Sequence, residues 1–141
     1  MNASIRVALR SEPLDPAALL VEVGRPDSGA TALFLGTARD HSEGKTGVTH
    51  LEYEAYAEHV NEKLDEICRE ACERWPVMSM VVEHRVGDVA VGEASVAVAV
   101  ATAHRGDAFE AARFVIDELK KRVPIWKREH WPGGAEWVEG A

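Results

Sequence analysis

Alternating apolar and polar positions predict a series of short strands along the chain. Residues 4–10 alternate, and residues 30–38 form the apolar run of a buried strand. Residues 78–86 form another strand, and the GDVAVGE segment that follows predicts a turn and a short strand. The strictest alternation lies in residues 94–102, where valines occupy one face and alanines the other. This pattern predicts a central strand with a helix packed close to its alanine face.

Two further segments are predicted to be extended. Residues 48–56 have one apolar face, which is formed by Leu51, Tyr53 and Ala55. The segment PIWKREHW follows a helical pattern and begins with a proline, so it continues as extended chain. The Gly133-Gly134 pair then predicts a turn into a last short strand with the sequence EWVE.

Two segments with helical spacing lie in the first half of the chain. Residues 16–23 predict a short helix, with Asp15 as its N-cap and Pro16 at the first helical position. Residues 57–74 carry apolar side chains every three or four positions, as an amphipathic helix does. Pro76 ends that pattern because proline lacks the backbone N–H that a helix interior needs.

A third helix follows the alternating strand. Its end is predicted near Arg122, because Val123 precedes Pro124 and is therefore pushed out of the helical region. Its apolar stripe consists of Ala108, Ala111, Ala112, Val115, Ile116 and Leu119. Adjacent strand pairs separated by helices predict an α+β domain with a mixed sheet and packed helices.

Composition narrows the class of protein. The chain has 141 residues, of which 46% are hydrophobic and 28% charged, so we expect a single domain over residues 1–141. No run approaches the roughly 18 apolar residues of a membrane span. The N-terminus lacks an apolar signal core, so the expected location is cytoplasmic. The formal net charge of −8 argues against a broad nucleic-acid-binding face and makes any local basic cluster more informative.

Cys68 and Cys72 lie four positions apart in a helical pattern and therefore share a face. A disulfide, a metal pair and simple packing are the alternatives. A zinc site needs about four ligands and no histidine-rich motif lies nearby, so packing in the core is the favoured interpretation.

Basic residues cluster where the third helix ends. Lys120, Lys121 and Arg122 occupy its last turn, where cations interact favourably with the helix dipole even without any function. Lys127 differs from them, because it lies in an extended stretch beyond a proline corner, between two tryptophans. In the simplest interpretation, Lys127 is a charged residue on an edge strand and has no role in function. A lysine in a partly dry, cation-rich pocket could instead serve as a base or nucleophile.

Two more polar groups follow predicted strands. Arg39, Asp40 and His41 come after a buried strand, and they form either a solvated turn or part of a site. His104 and Arg105 end the alternating strand just before a helix, whose first N–H groups could bind an anion. The alternative to anion binding is that Asp107 caps the N-terminus of its own helix. If these groups converge with the lysines, they form a pocket for a phosphate or a carboxyl terminus.

Longer motifs make the sequence recognisable. The segments FLGTARDHSEGK, HRVGDVAVGEASV and AHRGDAFEAARFVIDELKKRVPIWKRE resemble the large, catalytic subunit of molybdopterin synthase. LEYEAY, EACERWP and the closing WVE continue the resemblance in order, from about Gly29 to Glu139. The resemblance implies an α/β hammerhead-type fold and a homodimer of large subunits within a heterotetramer.

The resemblance also implies a reaction. A small ubiquitin-like sulfur carrier inserts its C-terminal Gly-Gly tail, which bears a thiocarboxylate, into the large subunit. Sulfur then passes to cyclic pyranopterin monophosphate, which becomes the dithiolene molybdopterin. The large subunit is expected to hold no metal or other cofactor, and neither nucleic acid nor a membrane is an expected partner.

The residues of that family's site fall on particular positions of this chain. Lys120 and Lys127 are implied as the catalytic acid/base pair, one polarising the thiocarboxylate carbonyl and the other moving protons. The implied substrate-binding residues are Thr37, Ala38, Arg39, His104, Arg105, Arg128 and Glu129. Two alternatives remain open: a non-catalytic module that binds a ubiquitin-like carrier, and a structural α+β dimer with scattered surface charges.

Overall fold

The computed structural model of the chain describes residues 3–42 and 45–139. Strands and helices alternate irregularly along these residues. The helices are α1 (Pro16–Val23), α2 (Ala57–Arg74) and α3 (Arg105–Arg122). The longer strands are β1 (Ser4–Arg10), β2 (Ala30–Thr37), β5 (His50–Ala55), β6 (Val77–Arg85), β7 (Gly87–Ala90), β8 (Ala94–Thr102), β9 (Ile125–Trp131) and β10 (Gly134–Glu139). Two short strands, β3 (His41–Ser42) and β4 (Lys45–Thr46), pair with each other.

The first sheet has the strand order β1-β6-β8-β2. Strands β1 and β6 are parallel, whereas β6, β8 and β2 pair antiparallel, so the sheet is mixed. The valine face of β8 packs with α2 and α3, and its alanine face packs with α1. The prediction of a helix against the alanine face is therefore confirmed, and that helix is α1.

The second sheet is wholly antiparallel, with the order β10-β9-β5-β7. Its β5 residues Leu51 and Tyr53 are 6% and 4% exposed, and they belong to the same core as α2, α3 and the valine face of β8. The apolar face predicted for this strand is thus confirmed. The two four-stranded sheets and the three helices of the described residues make the α+β class, with a mixed sheet and packed helices, that the sequence predicts.

The helix ends follow the predicted signals. The Asp15 carboxylate accepts a hydrogen bond of 3.1 Å from the Ala18 N–H at the start of α1. Helix α3 ends at Arg122, and Val123 has the extended backbone angles that the following proline imposes. The polar segment after β2 contains the short β3–β4 pair, and residues 43–44 between these strands lie outside the described part. Among the described residues, no helix combines the length and apolarity needed to cross a membrane.

Cys68 is buried on α2 within the core, and Cys72 packs partly buried beside it. Both thiols are free. Burial raises the pKa of the Cys68 thiol to about 12 and also raises the pKa of Cys72. Packing in the core, the interpretation favoured from the sequence, is confirmed for this pair.

Candidate functional site

A cavity of about 330 Å³ opens where the two sheets meet the end of α3. Strands β2 and β8 supply one wall, and β5 and β9 supply the other. Its polar lining consists of Thr37, Arg39, His41, Tyr53, Ser95, Lys120, Lys127 and Glu129. Phe34, Gly36, Leu51 and Val96 complete it. The cavity therefore combines cations, hydroxyl groups and one carboxylate on an apolar base.

The two lysines singled out in the sequence both line this cavity. Lys120 lies in the last turn of α3, and Lys127 is the third residue of β9. The extended Val123 and Pro124 turn the chain between them, so the helix end and the strand converge on one space. Two lysines from different elements of secondary structure thus share one pocket.

Arg39 and Thr37 line the same cavity at its β2 side, and His41 joins them. Arg39 is exposed, whereas Ala38 beside it is buried and does not line the cavity. The Ala38 N–H donates to the Glu93 carbonyl at 3.0 Å, and its carbonyl accepts from the Gly92 N–H at 2.8 Å. These bonds fix the backbone from which Arg39 projects.

Gly36 leaves room for the side chain of its β8 partner Val96 at the cavity. A Cβ at this position would lie 2.7 Å from the Val96 Cγ1 atom, which is closer than carbon atoms pack. The strand register also shifts between Gly36 and Thr37. A side chain at Gly36 would therefore displace the Val96 side chain, which also lines the cavity.

Glu129 lies in the cavity with only 6% of its surface exposed. It faces Leu51 across the β5–β9 ladder, two positions from Lys127 and on the same side of the strand. A buried carboxylate is costly unless a cation or a donor offsets its charge. The lysines of the cavity are suitable partners for it.

Tyr53 and Ser95 are site residues that the sequence did not reveal as such. The sequence predicts Tyr53 only as part of an apolar strand face, yet it lines the cavity opposite Lys127 in the strand register. Burial raises the pKa of the Tyr53 hydroxyl, and Ser95 is a hydrogen-bonding partner of that hydroxyl that partly offsets the effect. The strand pairing that brings these residues together is not readable from spacing alone.

His104 and Arg105 are not brought to the cavity within one copy of the chain. They are exposed at the N-terminal end of α3, whereas Lys120 lies at its C-terminal end. At 1.5 Å per residue, the helix separates Arg105 from Lys120 by roughly 22 Å. In a single copy of the chain, the basic residues that were predicted to cluster therefore lie at the two opposite ends of α3.

Arg128 also points away from the cavity. It pairs in register with Glu52 on one side and Trp137 on the other, and its guanidinium lies 5.6 Å from the Trp137 ring centroid. Successive strand residues face opposite sides of a sheet, so Arg128 lies opposite Lys127 and Glu129. In one copy of the chain it belongs to the outer face of the second sheet.

His84 lies behind the cavity wall, fully buried. Its Nδ1 atom is 2.7 Å from the Arg85 carbonyl oxygen, to which it donates, and its ring packs edge-on against Tyr53 at 5.0 Å. Burial, with a smaller contribution from the charge of Lys120, lowers the pKa of His84 to about 4. The imidazole is therefore neutral at physiological pH.

Within residues 3–42 and 45–139, no group of three or more His, Cys, Asp or Glu side chains is placed to hold a metal ion.

The fold and the cavity define an α+β protein with a concave, cationic pocket suited to a small anionic ligand or an acidic chain end. Residues 9–122 match the family model described as MoaE protein. The chain belongs to the MoaE protein family, which confirms the resemblance found in the sequence.

Relatives and solved structures agree with this assignment. The chain is 39% identical to a molybdopterin synthase catalytic subunit from Halalkalibacterium halodurans, over 96% of this chain and 86% of that one. A molybdopterin synthase structure from Staphylococcus aureus matches with a TM-score of 0.85 and 32% identity, over 96% of each chain. A complex of subunits 1 and 2 of molybdopterin-converting factor from Helicobacter pylori shares the fold, with a TM-score of 0.74 at 21% identity, over 97% of this chain and 90% of that one.

Proposed function

We propose that this chain is the catalytic subunit of a molybdopterin synthase. In this role it transfers sulfur from a thiocarboxylated ubiquitin-like carrier to cyclic pyranopterin monophosphate, which makes the dithiolene of molybdopterin. The observation that carries the proposal is the convergence of Lys120 and Lys127 on one cavity in a MoaE family chain. Relatives named molybdopterin synthase catalytic subunit support it.

The cavity suits the chemistry of this reaction. Arg39, Lys120 and Lys127 would hold the phosphate and the thiocarboxylate through charge-assisted hydrogen bonds. One lysine would polarise the thiocarboxylate carbonyl, and the other would move protons as the sulfur attacks. Glu129, buried in the same cavity, would orient a neighbouring cation. The backbone at Thr37 and Ala38 would keep Arg39 at the entrance.

The remaining predicted site residues suggest a role for a second copy. His104 and Arg105 lie roughly 22 Å along α3 from Lys120, so one copy cannot place them on the same substrate. A homodimer related by a twofold axis would offer His104 and Arg105 of each copy to the cavity of the other. Arg128 on the outer sheet face would then contact the carrier or its tail rather than the pterin.

The expected partner is a small carrier with a C-terminal Gly-Gly tail, bound to each large subunit in a heterotetramer. Two residues without side chains suit entry into a narrow cavity. The cations around the cavity would attract the charged end of the tail, so raising the salt concentration should weaken binding. A carrier that ends in a plain carboxylate should still bind, because it presents the same charge.

Reconstitution tests this proposal. The purified chain is mixed with cyclic pyranopterin monophosphate and with carrier ending in either a thiocarboxylate or a carboxylate. Molybdopterin should form only with the thiocarboxylated carrier. Carrier binding without product would favour the non-catalytic binding module, and the absence of both would favour a structural dimer.

A further inference from the structure

Tyr53 contributes a neutral hydroxyl to the cavity that also holds the charges of Lys120, Lys127 and Glu129. We propose that this hydroxyl is a further catalytic group, which donates a hydrogen bond to the carbonyl oxygen of the carrier's terminal glycine as negative charge develops there. The inference rests on the proposed sulfur transfer and adds to the lysine pair a donor that carries no charge.

Strand pairing places Tyr53 beside Lys127. The two residues are direct partners in the antiparallel β5–β9 ladder, so their side chains leave the same face with Cβ atoms about 5 Å apart. Both line the cavity, and Tyr53 is only 4% exposed. A carbonyl group that reaches Lys127 would therefore also come within reach of the Tyr53 hydroxyl.

The ring of Tyr53 is held from behind by His84. The imidazole packs edge-on against the phenol at 5.0 Å, and its own orientation is fixed by the 2.7 Å hydrogen bond to the Arg85 carbonyl. Because His84 is fully buried and neutral, this support does not change over the physiological pH range. A donor on a fixed ring loses little freedom when the oxyanion forms, and preorganisation of this kind is what makes such donors effective.

The surroundings of the hydroxyl keep it protonated. Burial raises the pKa of Tyr53, and the negative charge of Glu129 adds to that effect. The Ser95 Oγ–H donates a 3.3 Å hydrogen bond to the Gly36 carbonyl, so Ser95 accepts the hydrogen bond from its neighbour Tyr53. The Tyr53 O–H would turn from Ser95 to the substrate oxygen when the thioester is bound. Tyr53 therefore remains a donor at any pH where the enzyme would operate.

The step it would assist is the release of the carrier. Once the thiocarboxylate sulfur has displaced an oxygen substituent from a side-chain carbon of the pterin, so that a C–S bond replaces a C–O bond, carrier and pterin are joined by a thioester. Water adds to the thioester carbonyl carbon, and the electron pair of the C=O bond moves to the oxygen that Tyr53 faces. The C–S bond then breaks, sulfur stays on the pterin as a thiolate, and the carrier leaves as a carboxylate. The two protons of the water pass to a lysine amine and to solvent.

Replacing Tyr53 by Phe tests the hydroxyl alone, because the ring that packs on His84 is retained. The matched control is Tyr56→Phe, since Tyr56 is 67% exposed and lies outside this cavity. The variants are compared in the complete reaction with thiocarboxylated carrier. We expect Tyr53→Phe to lower kcat by about tenfold to a hundredfold with little change in KM, and Tyr56→Phe to behave as wild type.

Two further measurements separate the possible roles. Intact mass spectrometry of the carrier should show the thioester adduct accumulating with Tyr53→Phe, while the melting temperature stays that of wild type. A kcat within about twofold of wild type, or a loss of activity that only follows a lower melting temperature, would overturn the role of Tyr53. Absence of product with the wild-type chain would instead overturn the proposed sulfur transfer, and this inference with it.

Discussion

Arg105 and Lys120 lie at opposite ends of α3, one in its first turn and the other in its last. The helix axis separates them by roughly 22 Å, which is several times the length of a phosphate or a thiocarboxylate contact. If both residues serve one substrate, the complete site must draw on two copies of the chain.

Mixing two inactive variants tests the shared site. Arg105→Ala and Lys120→Ala should each abolish most activity on their own. In a mixed dimer, one of the two cavities combines an intact Lys120 with an intact Arg105 from the other copy. Random exchange of equal amounts should therefore restore about a quarter of wild-type activity, because half of the dimers are mixed and half of their sites are intact.

The readout is product formation after unfolding and refolding the two variants together. Refolding each variant alone and mixing them afterwards, under conditions without subunit exchange, is the control. If the refolded mixture stays as inactive as the separate variants, Arg105 does not complete the cavity of another copy.

The lysine pair gives a second prediction. Lys120→Ala or Lys127→Ala should lower kcat by about a hundredfold or more, because each change removes a group assigned to acid/base or electrostatic catalysis. Folding should persist, since neither side chain belongs to the core. Carrier binding should persist because the remaining cations of the cavity still attract the tail. Steady-state kinetics, circular dichroism and carrier titration measure these three properties.

Lys121→Ala is the matched control for these variants. Lys121 adjoins Lys120 in the same helical turn, but its side chain is 71% exposed and faces Glu118 at 3.5 Å. An exposed pair of this kind contributes little to stability. Normal turnover of Lys120→Ala or Lys127→Ala would remove that lysine from the mechanism, and a large loss with Lys121→Ala would show that charge alone matters.

His84 predicts a pH dependence of stability. Its pKa falls from the ordinary value of 6.5 to about 4 in the folded chain, chiefly because of burial. Between these values the unfolded chain binds a proton that the folded chain does not, so acidification favours unfolding. Above pH 6.5 the ring is neutral in both the folded and the unfolded chain, and the free energy of unfolding is not reduced by its titration. As the pH falls from 6.5 to about 4, the unfolded chain gains the proton first and the free energy of unfolding decreases. The full shift corresponds to about 3 kcal/mol.

Urea unfolding at several pH values between 7.5 and 4.5 checks this dependence. Carboxylates in ion pairs also titrate at the acid end, so the informative quantity is the difference between wild type and His84→Gln. The variant should be less stable at neutral pH and lose less stability on acidification. Parallel curves for the two proteins would show that His84 does not titrate as described.

The cysteines of α2 give a further prediction. Burial raises the pKa of Cys68 to about 12, so its thiolate is scarce at neutral pH and the thiol is shielded. Alkylation of native protein at pH 7.5 should spare Cys68 and modify the partly exposed Cys72 slowly, whereas denaturant should make both reactive. Peptide mass spectrometry distinguishes the two sites. Rapid alkylation of Cys68 in the native protein would contradict its place in the core.

The elements that the sequence predicted well are those with local causes. Asp15 and Pro16 begin α1, and Pro76 limits α2. Pro124 holds Val123 in an extended conformation, so α3 ends at Arg122. Caps and prolines act on the residues next to them, so spacing alone locates these boundaries. The valine and alanine faces of β8 were readable for the same reason, because strand alternation is local.

The parts that escaped prediction depend on contacts between distant segments. Tyr53 lines the cavity because β5 pairs with β9 in a register that places it opposite Lys127.

Other features of the site can be worked out from the sequence. The distance between Arg105 and Lys120 follows from the number of residues in the predicted helix and the rise of each one. The outward position of Arg128 likewise follows from strand alternation once Lys127 faces the cavity.

Isotope transfer tests the central claim most directly. The carrier is prepared with a ³⁴S-labelled thiocarboxylate, mixed with the chain and cyclic pyranopterin monophosphate, and the dithiolene product is analysed by mass spectrometry. The account predicts that both sulfurs of the product carry the label and that Lys120→Ala and Lys127→Ala yield almost none. Unlabelled product, or no product from the wild-type chain with a carrier that binds it, would contradict sulfur transfer at this cavity.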